Sequence, residues 1–332
     1  MDIHFAHRQS AHCESGVTAN LLFHHGIEIS EAMAFGIGSG LFFGYLPFVK
    51  INRLPLVTFR SAPGAIFKRV AQRLGVEVAR QKFRRPEKAM DALDQVLEKQ
   101  IPVGLQTGVF WLPYFPPALR FHFNAHNLVV FGRTDQDYRI SDPVIDETVL
   151  CPRSDLMRAR FAEGALAPKG AMYFLKNVPS KVDLRPAIVS GIQEVGRRMV
   201  KAPVPIIGVR GIRFLAGRLE QWPEKLGAKR AGQYLGHLIR MQEEIGTGGG
   251  GFRFIYAAFL QEAATLLDKP RLHEYSAELT QIGDRWREFA QLGARRCKGR
   301  GEAETSWPRL ADILRECADR EEKLFRGLLS EW

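Results

Sequence analysis

Three residues of this 332-residue chain have the types that thiol chemistry requires. Cys13 lies in the segment His-Cys-Glu-Ser-Gly, where a polar loop gives way to an amphipathic stretch. His126 opens an apolar run, and Asp142 ends the next strand-like segment in Ile-Ser-Asp-Pro. A cysteine nucleophile needs a base beside it and a group that orients the base. The three residues are therefore the candidate nucleophile, base and orienting acid.

The position of Cys13 at a predicted helix start supports its candidacy. Val17, Leu21 and Leu22 share one helical face, so a helix is expected to begin at or just before the cysteine. Unpaired N–H groups at a helix N-terminus carry partial positive charge, which favours thiolate over thiol. A cysteine in isolation is more often a small buried hydrophobic residue. The downstream histidine and aspartate favour catalysis here.

His126 and Asp142 are expected at the two ends of a β-hairpin. Strands predicted at 127–132 and 137–141 can pair, which would bring Asp142 beside His126 and hold one imidazole tautomer. Two other interpretations stay open. His126 could be a hydrogen-bonded histidine at a strand end, and Asp142 before Pro143 could be a turn former.

An acyl-transfer site also needs donors for the negative oxygen of a tetrahedral intermediate. The backbone N–H of Cys13 can serve. Gln9, four residues upstream, is the candidate side-chain donor, with a solvated loop glutamine as the alternative. Asn127 is a second candidate, as a donor or as an orienting group.

Two further segments are candidates for substrate binding. Trp111 and Tyr114 belong to an aromatic stretch before His126, which is ordinarily core or rigid loop but could wall an apolar substrate channel. Gly248 and Gly249 lie in a glycine run followed by Arg253. A flexible helix connector is the simpler interpretation of that run. A glycine loop at a helix start with an arginine would also suit a phosphate or carboxylate.

Composition limits the classes of protein that fit. The wide spacing of the four cysteines fits neither a zinc framework nor a disulfide-stapled secreted domain, and no metal site is predicted. No apolar run is long enough to span a bilayer and no secretory signal is evident, so a cytoplasmic protein without a membrane span is expected. The net charge of +11 favours an acidic protein or anionic substrate, and no nucleic-acid motif is present.

The pattern of elements changes once along the chain. Helices followed by a cluster of strands predict an α+β domain over 1–178, with a leading helix on a mainly antiparallel sheet. Residues 179–332 predict an all-α domain. The glycines over 36–44 indicate backbone passing close to another segment or a ligand. The helices of the second domain are expected at 181–201, 209–220, 224–245, 253–268, 271–293 and 308–329.

These motifs together resemble the family of butirosin biosynthesis protein H. His-Cys-Glu-Ser-Gly, Ile29-Ser30-Glu31, the glycine-rich 35–41, Trp-Leu-Pro-Tyr at 111–114 and His126 with Asp142 resemble its N-terminal domain. Gly-Thr-Gly-Gly at 246–249 and the residues from Phe252 resemble the helical domain of unknown function often found behind it. That N-terminal domain is similar to papain-like cysteine peptidases of the bacteriocin-processing kind.

The resemblance implies a papain-like cysteine-peptidase fold. It also implies an acyltransferase that acts in secondary-metabolite or lipid-like biosynthesis. An acidic acyl carrier protein would supply an acyl thioester on its phosphopantetheine, so the enzyme itself would hold no cofactor. Cys13 would form an acyl-enzyme, and a small-molecule amine or hydroxyl would accept the acyl group. Two alternatives remain: a cysteine peptidase or thioesterase with water as acceptor, and a non-catalytic module that binds a carrier protein. A homodimer is compatible with the sequence.

Overall fold

The computed structural model describes residues 2–301 and 303–332 and divides into two compact units. The first unit contains the chain up to Ala34 together with Ile66–Leu184. The second contains Phe35–Ala65 and Arg185–Trp332. The domain boundary predicted near residue 178 lies close to Arg185, where the chain enters the second unit for the second time. The prediction of two continuous domains differs from this division at one place, because the insertion at 35–65 groups with the helices.

The first unit is a mixed α+β unit built on a six-stranded sheet. Every ladder is antiparallel, and the strands lie in the spatial order Glu77–Gln81, Met172–Asn177, Val103–Thr107, His126–Arg133, Asp137–Ser141 and Val149–Pro152. The leading helix, Cys13–His24, contacts the strand His126–Arg133, whose first seven residues are buried. The strands are β3 (Glu77–Gln81), β4 (Val103–Thr107), β5 (His126–Arg133), β6 (Asp137–Ser141), β7 (Val149–Pro152) and β8 (Met172–Asn177), and the helices are α1 (Cys13–His24), α2 (Glu31–Ile37), which continues into the second unit, α3 (Ala65–Arg73), α4 (Pro86–Leu97) and α5 (Arg153–Arg160).

The second unit combines one hairpin with six helices in its described residues. Strands β1 (Leu41–Ile51) and β2 (Leu54–Arg60) pair in antiparallel fashion. Trp286, Phe289 and Phe325 are among the large side chains that fill the core of this unit. None of its helices, nor any other described helix, is long and apolar enough to cross a bilayer. The helices are α6 (Leu184–Val200), α7 (Gly208–Leu226), α8 (Ala228–Glu243), α9 (Arg253–Leu267), α10 (Arg271–Cys297) and α11 (Trp307–Leu329).

The expected mixture of helix and sheet followed by a helical C-terminal region is confirmed, and each predicted helix of that region has a counterpart. Strand β4 ends at Thr107, and the chain then turns into a 3-10 helix at Val109–Trp111. The hairpin β1–β2, strand β7 and helix α5 were not predicted. The glycines of 36–44 do sit in tight packing, since a Cβ on Gly36 would lie 2.1 Å from the Phe259 ring.

Candidate active site

Cys13 is the first residue of helix α1, and its side chain is buried. His12 caps this helix. Its Nδ1 accepts a hydrogen bond from the backbone N–H of Ser15 at 3.4 Å and lies 2.8 Å from the Ser15 hydroxyl oxygen. A side chain that accepts from the first-turn N–H groups is the usual way to satisfy a helix start. His12 is therefore the cap of this helix.

His126 and Asp142 are brought together by the hairpin β5–β6. Val129 pairs with Ser141, so the first residue of β5 and the residue after β6 lie at the same end of the ladder. His126 Nε2 lies 2.6 Å from Asp142 Oδ2, and both side chains are buried. With Nε2 directed to the carboxylate, Nδ1 is the nitrogen left for the thiol.

Asp142 is held by two more donors. The Tyr114 hydroxyl donates to Asp142 Oδ2 at 2.8 Å, and the backbone N–H of Val144 donates to Oδ1 at 3.2 Å. Hydrogen bonds of this kind favour the ionised carboxylate. Tyr114 thus orients the acid, which differs from its predicted place in a substrate channel. Burial and the neighbouring Asp142 charge raise the pKa of Tyr114 well above 10, so the phenol stays protonated as a donor.

The electrostatics favour a protonated His126. Burial by itself would lower the pKa of His126, but the charge and hydrogen bond of Asp142, together with the hydrogen bond and charge of Cys13, raise it to about 10. At neutral pH His126 is therefore an imidazolium. Its Nε2–H is directed to the Asp142 carboxylate, and its Nδ1–H is left for the Cys13 sulfur. An imidazolium beside a cysteine stabilises the thiolate, which is the nucleophilic form.

Asn127 lies next to the sulfur in a fixed orientation. Its Nδ2 donates to Cys13 Sγ at 3.9 Å and to the Ala125 carbonyl at 3.2 Å. Because a carbonyl only accepts, the contact with Ala125 identifies the amide nitrogen, and the Tyr173 hydroxyl donates to Asn127 Oδ1 at 2.9 Å. The amide therefore presents N–H groups to the reacting atom, in keeping with a donor or orienting role.

Half-buried Glu31 and buried Glu14 accept hydrogen bonds from backbone N–H groups of the site and of helix α3. Glu31 accepts from the N–H of Ala11 at 3.0 Å and from the N–H of His12 at 2.5 Å. Glu14 Oε1 accepts from Ile66 and Phe67, whose N–H groups lie at the start of α3. A carboxylate at a helix N-terminus is favourable. Neither role was predicted. The only sequence signal was the presence of acidic residues beside the cysteine and in the Ile-Ser-Glu motif.

A glycine allows the acid loop to approach the nucleophile helix. The Ser10 N–H donates to the Pro143 carbonyl at 2.6 Å, which ties the segment before Cys13 to the residue after Asp142. A Cβ on Gly16 would lie 2.7 Å from the Cβ atoms of both Ser10 and Pro143. Gly16 is therefore required by close packing.

The remaining candidates of the first unit lie at its surface. Gln9 is exposed, four residues before Cys13. Trp111 is also exposed and packs edge-on against Phe110, with the Arg158 guanidinium 5.6 Å from its ring centre. Phe115, which was not singled out, packs edge-on against the His126 ring at 5.6 Å. It is thus the aromatic residue of this stretch that contacts the imidazole.

Backbone N–H groups of the glycine run in the second unit donate to side chains of the same unit. Glu243 accepts from the Gly250 N–H at 3.1 Å, and the Thr247 hydroxyl accepts from Gly249 at 3.0 Å. Gly248 has a positive φ of 65°, which glycine adopts without strain. A loop whose N–H groups already meet a carboxylate does not fit the predicted anion role of Gly248 and Gly249.

Arg253 also binds a side chain of the second unit. It is buried, and its Nε and Nη2 donate to the two carboxylate oxygens of Glu321, each at 3.0 Å. The Trp286 indole N–H donates to the same carboxylate at 2.7 Å. The guanidinium forms a buried ion pair with Glu321. This placement does not fit the predicted role of Arg253 in binding a substrate anion.

Two family models match consecutive parts of the chain. The model described as "Domain of unknown function (DUF4872)" matches residues 154–328, which is more than half of the chain. The chain belongs to the DUF4872 family. The model described as "Butirosin biosynthesis protein H, N-terminal" matches residues 12–143, a range that contains Cys13, His126 and Asp142. The suspected family is therefore confirmed for both parts of this DUF4872 protein.

Among solved structures, the chain is similar to a protein from Bacillus anthracis described as a C39-like peptidase. The sequence identity is 17% and the TM-score is 0.37. The match covers 54% of this chain and 98% of the other. No curated protein matches the DUF4872 protein.

Proposed function

We propose that the protein is a cysteine-dependent acyltransferase. It would take an acyl group from the thioester of an acyl carrier protein and pass it, through an acyl-enzyme on Cys13, to an amine or hydroxyl acceptor. The observation that carries the proposal is the Cys13, His126 and Asp142 arrangement inside the region that matches butirosin biosynthesis protein H.

The first half-reaction would begin at the thiolate. Cys13 Sγ attacks the thioester carbonyl, the C–S bond to phosphopantetheine breaks, and the departing thiolate takes the proton of His126. One thioester is exchanged for another, so the step is nearly isoenergetic. In the second half-reaction the acceptor attacks the acyl-enzyme, neutral His126 removes its proton, and the Cys13 sulfur leaves. No metal or redox cofactor is needed for this balance.

The tetrahedral intermediates need N–H donors near the sulfur. The Cys13 backbone N–H lies at the N-terminus of α1, where it has no carbonyl partner within the helix. Asn127 supplies side-chain N–H groups 3.9 Å from Sγ, oriented by Tyr173. Gln9, which is exposed four residues before Cys13, stays a proposed donor.

The charge of the chain supports an acidic donor. A net charge of +11 attracts an acidic carrier protein at long range, and such attraction acts mainly on the association rate. Added salt should therefore raise KM for the carrier-bound substrate and leave kcat nearly unchanged. The same acyl group on free pantetheine, which lacks the acidic protein, should show a much weaker salt effect.

The experiment is a product analysis with an acyl-carrier thioester, with and without an amine. The proposal predicts amide formation that requires the amine, with little free acid in its absence. Free acid formed at the same rate in both reactions would instead assign water as the acceptor and make the protein a thioesterase or peptidase. Cys13→Ala should abolish either product. Product formation by Cys13→Ala would contradict a thiol mechanism, and binding of the carrier without turnover would leave only a binding module.

A further inference from the structure

The hairpin β1–β2 of the second unit has an exposed apolar end. Phe48 is 70% exposed and its neighbour Val49 is 36% exposed. Val204, 38% exposed, lies between two prolines in the loop before α7. Single exposed apolar residues are ordinary, whereas a group of them on neighbouring segments marks a surface used for interaction.

The loop that carries Val204 joins the strand that carries Phe48. The Tyr45 N–H donates to the Ile206 carbonyl at 3.0 Å, and Gly44 forms an antiparallel bridge with Ile207. Phe48 is three residues beyond one end of this junction and Val204 is two residues before the other. We call the hairpin end at 47–53 together with the loop at 201–206 the apolar tip.

The two segments that contain the apolar tip carry charges of one sign. The insertion 35–65 contains three basic residues and no Asp or Glu, and 195–219 contains six basic residues and no Asp or Glu. Some of these are neutralised, since Arg213 pairs with Asp319 and Glu322. The described part of the chain shows no ion pair for five exposed basic residues of these segments, which are Lys50, Arg53, Arg197, Lys201 and Arg210.

Arg53 occupies a demanding backbone position. It has a φ of 66°, and Asn52 before it has a φ of 52°. These two residues join Ile51 to Leu54 in a two-residue hairpin turn, where the second position strongly prefers glycine. A charged residue held in such a conformation at a conformational cost is a pointer to function.

We propose that the apolar tip attaches the protein to the surface of an anionic lipid bilayer. Phe48, Val49 and Val204 would enter the boundary between headgroups and acyl chains, while Arg53 and Lys201 would contact the acidic headgroups. Apolar insertion and basic contacts add together in peripheral membrane binding. An anionic bilayer offers acidic headgroups directly above an apolar layer and so meets both features at once, and an acidic soluble protein is the alternative that the experiment separates.

The test is sedimentation of the full chain with vesicles of two compositions. Vesicles of equal parts phosphatidylglycerol and phosphatidylcholine should bind the protein, and pure phosphatidylcholine should bind it far less. Phe48→Ser should weaken partitioning about tenfold, since most of one aromatic side chain is withdrawn from the boundary. Arg53→Glu with Lys201→Glu should weaken it at least as much, and added salt should reduce binding of the unchanged protein.

Matched variants separate a local effect from a general one. Leu150→Ser removes an exposed leucine of the first unit, and Lys99→Glu with Lys298→Glu makes the same charge change at exposed residues outside the two segments of the apolar tip. Neither should alter vesicle binding, and melting temperatures should show that all variants fold. Equal loss in the control and tip variants would overturn the proposal. So would binding to an acidic carrier protein that depends on Phe48 when neither vesicle binds.

Discussion

The imidazole Nε2 of His126 lies 2.6 Å from the Oδ2 of Asp142. Because this carboxylate takes one ring nitrogen, the other is left to face Cys13, and the hydrogen bond and charge of Cys13 both act on the imidazole. The pair thus fixes the tautomer and the orientation of the proposed base. The roles proposed for Cys13, His126 and Asp142 all depend on this contact.

Asp142→Asn should lower the pKa of His126. In the unchanged protein the pKa of His126 is about 10, so the imidazolium is complete at pH 7 and is lost as the pH rises through about 10. Without the charge and hydrogen bond of Asp142, the effect of burial is opposed by Cys13 alone, so the pKa of His126 should fall from about 10. Imidazole nitrogen NMR shifts recorded against pH measure this change directly.

The same change should slow alkylation of Cys13 by iodoacetamide near pH 7, because the imidazolium that favours the thiolate loses its carboxylate partner. Asp146→Asn removes an exposed carboxylate four residues away and should leave both the titration and the alkylation unchanged. An unaltered His126 titration in Asp142→Asn would show that Asp142 does not control the imidazole.

Tyr114→Phe should reduce turnover with little effect on KM. The hydroxyl donates to the oxygen that also meets His126, so its loss frees Asp142 to rotate. One hydrogen bond of this kind contributes about 1 to 1.5 kcal/mol, which corresponds to about a fivefold to tenfold loss in kcat. Tyr275→Phe, which removes a hydroxyl that donates to Glu331 in the second unit, is the control. A rise in KM with unchanged kcat would assign Tyr114 to substrate binding instead.

Gly16→Ala should destabilise the first unit by about 1 to 3 kcal/mol, the usual cost of overpacking. The added methyl group would push Pro143 and Ser10 away from α1 and move Asp142 with them. Gly217→Ala is the matched control, because a Cβ there meets nothing within 4 Å and alanine is the better helix former. Urea unfolding compares the two. Equal stability of both variants would argue against a tight approach at Gly16.

Arg253→Met should destabilise the second unit by about 3 to 5 kcal/mol, because it leaves the buried Glu321 carboxylate without its partner. Replacing both residues by methionine should restore part of that loss. Arg320→Met, which breaks a more exposed pair with Glu278, should cost about 1 kcal/mol or less. Thermal unfolding measures all three. Loss of substrate binding in Arg253→Met without loss of stability would instead show that Arg253 binds a substrate anion.

The long elements of the fold could be predicted because their patterns are local. The amphipathic stripes of α10 and α11 and the apolar run of β5 are visible in the sequence. The hairpin β1–β2 was missed because glycines and prolines interrupt it, including Pro47 and Pro55 within the strands themselves. Proline is tolerated there because a two-stranded sheet consists only of edge strands.

The site could be predicted only where one motif positioned its residues. The hairpin register brings Asp142 to His126, so that contact follows from the sequence. The roles of buried Glu14 and half-buried Glu31 could not be foreseen, since glutamates are rarely buried and their partners here are backbone N–H groups of distant segments. Arg253 looked like an exposed anion ligand for the same reason, because its partner lies far along the chain.

The most direct test of the account is intact-mass spectrometry of the protein after brief mixing with an acyl-carrier thioester. The account predicts a gain equal to one acyl group, mapped by proteolysis to the peptide that contains Cys13, discharged by an amine, and absent in Cys13→Ala. An acyl group on Cys151, Cys297 or Cys317, or the same gain in Cys13→Ala, would contradict it.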